Sequence, residues 1–399
     1  MKRVFIYTIF ILSSIFAKAQ ELTFGDSTII SLITCSPGEK VYEKFGHTAI
    51  RVKDSKNNID VVFNYGIFNF ETDHFLYKFI KGETDYELGV YYTGNFLPSY
   101  AERNSIVWEQ ILNLTRTEKK NLIQMLLTNY QPENRTYRYN FVFDNCATRP
   151  RDKILGSIHG YVKFQPALES KTYRQWVGSY VGNETWLKFG IDMLFGIEAD
   201  HFVTVNESMF LPELLMSEFQ TAQICTSGSE PRKLISDKKI LVNKIDKTES
   251  KSFLYIKPYT VSVILLLIAV FLTVWDYYRH RHYKLFDSII LLITGIGGFI
   301  ITYMMLFSIH PLVKMNLNIL WLNPFNFFIG ILIWVKRLRI IMFFYQIFNV
   351  ILLIGGLFAF ALSAQYFNVA VFPIIVLLLL RSTSWFAYLK GRIYKRRSI

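Results

Sequence analysis

The chain has 399 residues, 51% of them hydrophobic, with 44 Lys and Arg against 31 Asp and Glu, for a net charge of +13. That length allows one sizeable soluble domain and more, and the composition shifts abruptly near Lys257-Pro258, where apolar runs take over. The positive balance does not mark a nucleic-acid binder, because much of it sits in short loops beside those runs, where it reports membrane orientation.

In chain order, Lys2 and Arg3 precede an apolar run over 4–16 and the triplet Ala17-Lys18-Ala19. This is the pattern of a secretory signal peptide, 1–19, cleaved after Ala19. An uncleaved anchor is the alternative, against which the shortness of the run speaks. In either case the following segment is exported. Residues 28–34, 48–52 and 60–65 have the β-branched and aromatic character of strands, separated by Pro37-Gly38 and Asn57-Asn58 turn signals. Thr115-Arg116-Thr117-Glu118 is a capping box ahead of an apolar-periodic run and predicts a helix over 116–130. Over 137–143, Tyr and Phe alternate with Arg, Asn and Val, which predicts a strand. These elements make the exported domain, 20–225, an α+β unit. The stretch that follows, 226–257, is rich in Ser, Lys and Asp and reads as a tether.

Beyond it, 259–275, 287–308, 318–335, 340–362 and 368–389 are five candidate spans of an all-α membrane domain, 258–399; the first is short and the last holds Arg381. With the exported domain outside, the loop Arg279-His280-Arg281-His282-Tyr283-Lys284 falls inside. So do Lys336, Arg337 and Arg339, and the tail with Lys390, Arg392, Lys395, Arg396 and Arg397. The two outer turns hold only Lys314 among Lys and Arg. This satisfies the positive-inside rule for an odd number of spans in an inner membrane and places the C-terminus in the cytoplasm.

Under this topology Cys35, Cys146 and Cys225 face an oxidising compartment, and an odd count leaves at least one thiol unpaired within the monomer. A Cys35–Cys225 disulfide is left open. Cys146 is delivered by Asp144-Asn145-Cys146-Ala147-Thr148-Arg149-Pro150 into a helix start, since Pro150 is tolerated in a first turn and hardly later. Asp144, Asn145 or Cys146 is then the cap, with the thiol near the positive end of the helix dipole and backbone N–H groups available to an oxyanion. A thiol must become a thiolate to attack an ester or amide carbonyl, and a nearby imidazole is the usual means. The plainer reading is that an isolated Cys is a small apolar filler. His47, in Phe45-Gly46-His47-Thr48-Ala49, competes with His74, His159 and His201, and spacing does not choose among them. Arg149 and Arg151 read either as a phosphate head-group site or as a salt-bridged solvated face. No paired Cys or His spacing marks a metal site, and no cofactor is implied.

Two stretches carry a family resemblance: Leu32-Ile33-Thr34-Cys35-Ser36-Pro37-Gly38 with Phe45-Gly46-His47-Thr48-Ala49-Ile50-Arg51-Val52, and Asp144-Asn145-Cys146-Ala147-Thr148-Arg149-Pro150-Arg151-Asp152. They resemble the N-terminal periplasmic domain of the Lnb-type lipoprotein N-acyltransferases, long catalogued as a domain of unknown function. His310-Pro311-Leu312, Asn316, Asn318-Ile319-Leu320-Trp321 and Asn323-Pro324 resemble that family's membrane part. The histidine-before-cysteine order is similar to permuted papain-like NlpC/P60 relatives, in which a Cys-His pair cleaves amides or moves acyl groups. The resemblance implies a fold of that kind, with Cys146 as nucleophile and His47 as its general base. The third, orienting or oxyanion-supporting group stays open among Asp144, Asn145 and Asp152. It further implies that a fatty acyl chain moves from a phospholipid, through a Cys146 thioester, to the α-amino group of the diacylglyceryl-cysteine of lipoproteins. His310, Asn316 and Asn318 would then contact substrate at the membrane, a hydrated loop being the other reading. Two further functions stay open: a membrane-tethered papain-like amidase acting on cell-wall peptides, and a non-catalytic receptor or scaffold.

Overall fold

The computed structural model describes residues 25–68, 71, 73–166, 169–182, 185–245 and 256–397, so the expected signal peptide lies outside the described residues. Apart from short helical turns, the N-terminal domain runs β1 Ile29–Cys35, β2 His47–Asp54, β3 Ile59–Ile67, α1 Phe75–Lys81, β4 Asp85–Tyr92, α2 Thr93–Glu102, β5 Val107–Leu112, α3 Arg116–Tyr130, β6 Thr136–Arg138 and α4 Thr148–Ser157. It continues through β7 Tyr161–Lys163, α5 Tyr173–Val181, α6 Trp186–Leu194, α7 Pro212–Thr221, β8 Gln223–Cys225, β9 Arg232–Lys233 and β10 Ile235–Val242. The α+β expectation holds, and the three N-terminal strands and α3 form where their patterns place them.

Seven strands make one antiparallel sheet in the order β10-β5-β1-β2-β3-β4-β6, and β7-β8-β9 make a small second one. Side-chain alternation sends Ile30, Leu32, Ile50, Val52, Phe63 and Tyr65 into a core shared with Leu122, Ile123 and Leu126 of α3, Ile154 of α4 and Phe219 of α7. Ile33, Cys35, Ala49, Val62 and Val107 point the other way, under Phe96 and Tyr100 of α2. The capping box of α3 forms as expected: Thr115 N–H donates to Glu118 Oε2 at 2.8 Å, and Glu118 N–H to Thr115 Oγ1 at 3.3 Å.

Two expectations are corrected. The strand expected over 137–143 stops at Arg138, because Asn140 Oδ1 accepts from the N–H groups of Val142 and Phe143, each at 3.1 Å, and turns the chain. The tether expected over 226–257 is in part folded: β9 joins the small sheet, and β10 pairs with β5 along the edge of the large one. Lys238 and Lys239 are what an edge strand carries to resist pairing with other chains, so the polar composition that suggests a linker belongs to a sheet edge. β10 runs from Ile235, opposite Leu112, to Val242, opposite Val107, and so carries the chain toward the sheet end that holds Cys35 and His47.

The C-terminal part consists of α8 Pro258–Arg279, α9 Lys284–Phe307, α10 Phe325–Leu332, α11 Arg339–Ala361 and α12 Val371–Arg397. Five segments are long and apolar enough to cross a membrane. The third is broken: short 3-10 turns at Pro311–Val313 and Leu317–Leu320 and extended backbone precede the eight-residue α10. Non-helical backbone at membrane depth is tolerated where protein buries it. Gly298 and Gly295 of α9 provide that, since a Cβ would stand 2.4 Å from Leu322 O and 2.2 Å from Phe327 N. Polar side chains knit the break: Asn323 Nδ2 donates to Tyr345 OH at 3.2 Å, Asn326 Nδ2 to Thr294 Oγ1 at 3.1 Å, and Tyr345 OH to Asn326 Oδ1. Arg381 is buried in α12 among Asp287 at 2.6 Å, Asp276 at 2.9 Å and Thr273 at 2.9 Å, with Trp385 Nε1 also donating to Asp287 at 2.7 Å. An arginine in a span is thus matched by carboxylates from two neighbouring helices.

Candidate active site

Two strands and one loop meet at one end of the large sheet. His47 opens β2, opposite Cys35 of β1. The β2–β3 register pairs Ile50 with Phe63, so one step further Asn64 falls on the face that carries Ala49 and His47. Cys146 comes from the loop into α4, and Asn145 holds that loop. Its Oδ1 accepts from the N–H groups of Ala147 at 2.7 Å and Thr148 at 2.9 Å, and its Nδ2 donates to Phe141 O at 2.6 Å and Phe210 O at 2.9 Å. This buried amide caps the helix and fixes the residue after it, so the thiol stands at the positive end of α4. Pro150 falls in the first turn, as its backbone requires.

Cys146 and His47 are hydrogen-bonded to each other. His47 Nε2 lies 2.5 Å from Asn64 Oδ1, so Nε2 carries a proton and Nδ1 is left for the thiol. Gly66 makes the close approach: its φ is +91°, and a Cβ there would sit 3.4 Å from Cys146 Cβ and 3.9 Å from His47 Cε1.

Burial pushes the Cys146 thiol up. The charge and hydrogen bond of His47, with the N–H groups of Thr48 and of Cys146 itself, outweigh it and hold the thiol below the ordinary range. Burial pushes His47 down, while the charge and hydrogen bond of Cys146 and the bond to Asn64 leave it raised. Opposite shifts in two touching groups move the pair toward thiolate and imidazolium, the form in which a thiol is a nucleophile. Cys35 behaves in the other way: it is fully buried, and burial pushes its thiol far up despite a hydrogen bond with Tyr100. All three cysteines are free. Cys35 and Cys225 lie in different sheets, and Tyr161 is the hydrogen-bond partner of Cys225, so no disulfide joins them.

None of the three acidic or amide residues expected to orient the histidine does so. Asp144 takes Arg149 Nε at 2.5 Å and Nη2 at 2.8 Å, and Arg149 in turn covers the Tyr137 ring at 3.5 Å. Asp152 pairs with Arg151 at 2.7 Å, and Arg151 also donates to Asn206 O at 2.8 Å. Both arginines are therefore engaged in ion pairs within the protein. Asn145 uses its amide on the loop. The side chain that meets His47 Nε2 is Asn64; its one signal in the sequence is a polar residue between Phe63 and Tyr65, and only the strand register brings it to His47. His74, His159 and His201 are exposed and take no part.

The same end of the sheet meets the membrane segments. On one side Ile309 N–H donates to Lys81 O at 2.9 Å and His310 Nε2 to Phe79 O at 2.8 Å. On the other, Leu312 is buried with Phe45, Phe141, Val142 and Phe210. Gly196 N–H donates to Leu312 O at 2.8 Å. Asn316 Nδ2 donates to Met193 O at 2.7 Å and Leu194 O at 3.1 Å, and Asn318 Nδ2 to Asp192 O at 3.2 Å. His310, Asn316 and Asn318, expected to contact substrate, thus bond across the junction of the two domains; Asn316 and Asn318 are buried there, 1% and 0% exposed, whereas His310 is half-buried.

Residues 16–178 match the Lnb N-terminal periplasmic domain, and residues 248–392 match the Lnb transmembrane domain. No curated protein and no solved structure matches the chain.

Proposed function

Starting from the premise that the chain belongs to the Lnb family, a periplasmic α+β domain followed by five apolar membrane segments, we propose that it is a lipoprotein N-acyltransferase. The observation that carries this reading is the position of the Cys146–His47–Asn64 line, which lies at the sheet end flanked by the His310–Phe79 and Leu312–Phe45 junctions with the membrane segments. A nucleophile held there is level with lipid esters rather than with the cell wall.

In the first half-reaction the Cys146 thiolate attacks the ester carbonyl of a phospholipid. The C–O bond breaks, the lysophospholipid oxygen takes a proton from His47, and an S-acyl enzyme remains. In the second, the free α-amine of a diacylglyceryl-cysteine attacks the thioester, His47 accepts the amine proton, and Cys146 leaves as thiolate with an amide formed. The N–H groups of Thr48 and Cys146, which converge on the sulfur at rest, are the donors at hand for the oxyanion in both halves. Asn64 keeps the imidazole in the tautomer and orientation that both proton transfers need. The membrane orientation that fits this chemistry puts the basic loops and the C-terminus in the cytoplasm.

The test is mass spectrometry of the N-terminal peptide of an abundant lipoprotein from cells lacking this protein, complemented with the parent chain or with Cys146→Ala at matched membrane levels. The expected result is an N-acylated terminus with the parent and a free amine with the variant. An identical terminus in all samples removes the acyltransferase and brings forward a wall amidase.

A further inference from the structure

The helix α1 has no buried residue, and Leu76, Tyr77 and Phe79 on it are 69%, 54% and 44% exposed. Three large apolar side chains on two turns are out of place in water and in place at a lipid interface. The height of α1 is fixed by the membrane part. Ile309 and His310, which follow α9 directly, hold the carbonyls of Lys81 and Phe79. Gly82, at φ +79°, closes on the same turn, where a Cβ would meet Ile309 Cγ1 at 2.8 Å. Tyr77 lies 6.4 Å, ring to ring, from Tyr303 of α9. Leu306, Phe307 and Ile309 extend the exposed apolar surface at the end of that span.

The other end of α1 leads to the thiol. Phe79 stacks on Phe75 at 6.2 Å, Phe75 on Phe68 at 5.9 Å, and Phe68 on Tyr86 at 5.0 Å, with Tyr42 edge-on to Phe68 at 6.3 Å. Phe68 is two residues past Gly66, which abuts Cys146. An aromatic strip therefore connects the end of a membrane span with the nucleophile.

We propose that α1 is seated in the outer-leaflet interface and that the strip from Leu76 through Phe75 to Phe68 receives an acyl chain of a bilayer phospholipid, leading its ester to Cys146. This rests on the acyl-transfer reading for its consequence, though not for the seating. The strip is continuous with the membrane span that anchors it, which makes a lipid chain its occupant rather than a protein segment.

The full chain, in vesicles of phosphatidylethanolamine and phosphatidylglycerol, tests both parts. A photo-crosslinking amino acid in place of Leu76 should give a phospholipid adduct by intact-mass spectrometry. The same group in place of Tyr161, on the small sheet near the opposite end of the domain, should give none. In Leu76→Asp/Phe79→Asp, acyl loading of Cys146 from the vesicle lipid should fall at least about tenfold, the scale of a lost large apolar contact. Iodoacetamide should alkylate Cys146 in that variant at the parent rate, which shows that the site is folded. No adduct at Leu76 above that at Tyr161 overturns the seating, and undiminished loading in the double variant overturns the path. An adduct at Leu76 with no acyl loading in the parent overturns acyl transfer from phospholipid and the path together, while the seating stands.

Discussion

Asn64 Oδ1 lies 2.5 Å from His47 Nε2, across two strands of one sheet, and this contact decides which histidine nitrogen faces Cys146. A neutral amide in that place orients the ring without adding a charge; the further charge that acts on His47 is that of Arg103, which opposes its protonation. Removing it should loosen the ring and leave Nε2 without its acceptor. Asn64→Ala is expected to lower Cys146 acyl loading by about tenfold to a hundredfold, the range set by a hydrogen bond to a charged group. Single-turnover loading followed by intact-mass spectrometry measures it; a rate within twofold of the parent would remove Asn64 from the site.

The opposite shifts of Cys146 and His47 have a definite sign in a pH profile. His47 holds the thiol below its ordinary value, so thiolate reactivity should persist below the ordinary thiol range and be lost as pH falls through the lowered value. In His47→Ala burial acts without its main opponent, and the titration should move to higher pH. Iodoacetamide alkylation followed from acid to alkaline pH separates the two; coincident profiles would sink the pairing.

Gly66→Ala brings a Cβ to the place where Cys146 and His47 meet and forces φ +91° on a residue with a side chain. Its cost should be about 1–2 kcal/mol from the backbone alone, seen as a lowered Tm in detergent. Alkylation of Cys146 should slow as well, because relief of the strained φ moves the backbone that abuts the pair. A variant of unchanged Tm and unchanged alkylation would show that the close approach has no consequence.

Asn316→Ala withdraws the donor that Met193 and Leu194 carbonyls share inside the domain junction. Met193 O keeps a donor in Asn318 Nδ2 at 3.3 Å, but Leu194 O loses its donor and Asn318 N–H its acceptor, which should cost about 1–3 kcal/mol. Thermal unfolding in detergent is expected to show an earlier transition, with alkylation of Cys146 at the parent rate below it. An unshifted transition would mean that the junction is held without Asn316.

Arg381→Met removes the guanidinium that Asp276 and Asp287 share inside the membrane part and leaves the two carboxylates with only His282 as an ion-pair partner among the described residues, a broken buried pair that costs about 3–5 kcal/mol. The variant should accumulate poorly in membranes, whereas replacement of all three by apolar residues should restore accumulation toward the parent level. Quantitative immunoblotting of membranes checks it; full accumulation of the single variant would show that the cluster is dispensable.

Much of this molecule was legible in its sequence because the signals are local. Capping residues and periodicity placed α3, alternation placed β1 to β3, and sustained apolar runs marked five membrane segments, since each depends on neighbours within a turn or a strand. Cys146 and His47 were legible as chemistry-bearing residues near a helix start and a strand start. The break before α10 was not, because extended backbone at membrane depth is permitted only by Gly295 and Gly298 on another helix. Nor was β10, whose polar composition suits a tether and an edge strand alike until a partner strand is known. The sequence by itself determined that an α+β domain precedes five apolar membrane segments. Tertiary structure alone decided that Asn64 rather than Asp144, Asn145 or Asp152 holds the histidine, and that Asn316 and Asn318 join domains. The physical reason is that strand register and domain docking are set by long-range pairing and burial, which no local pattern encodes.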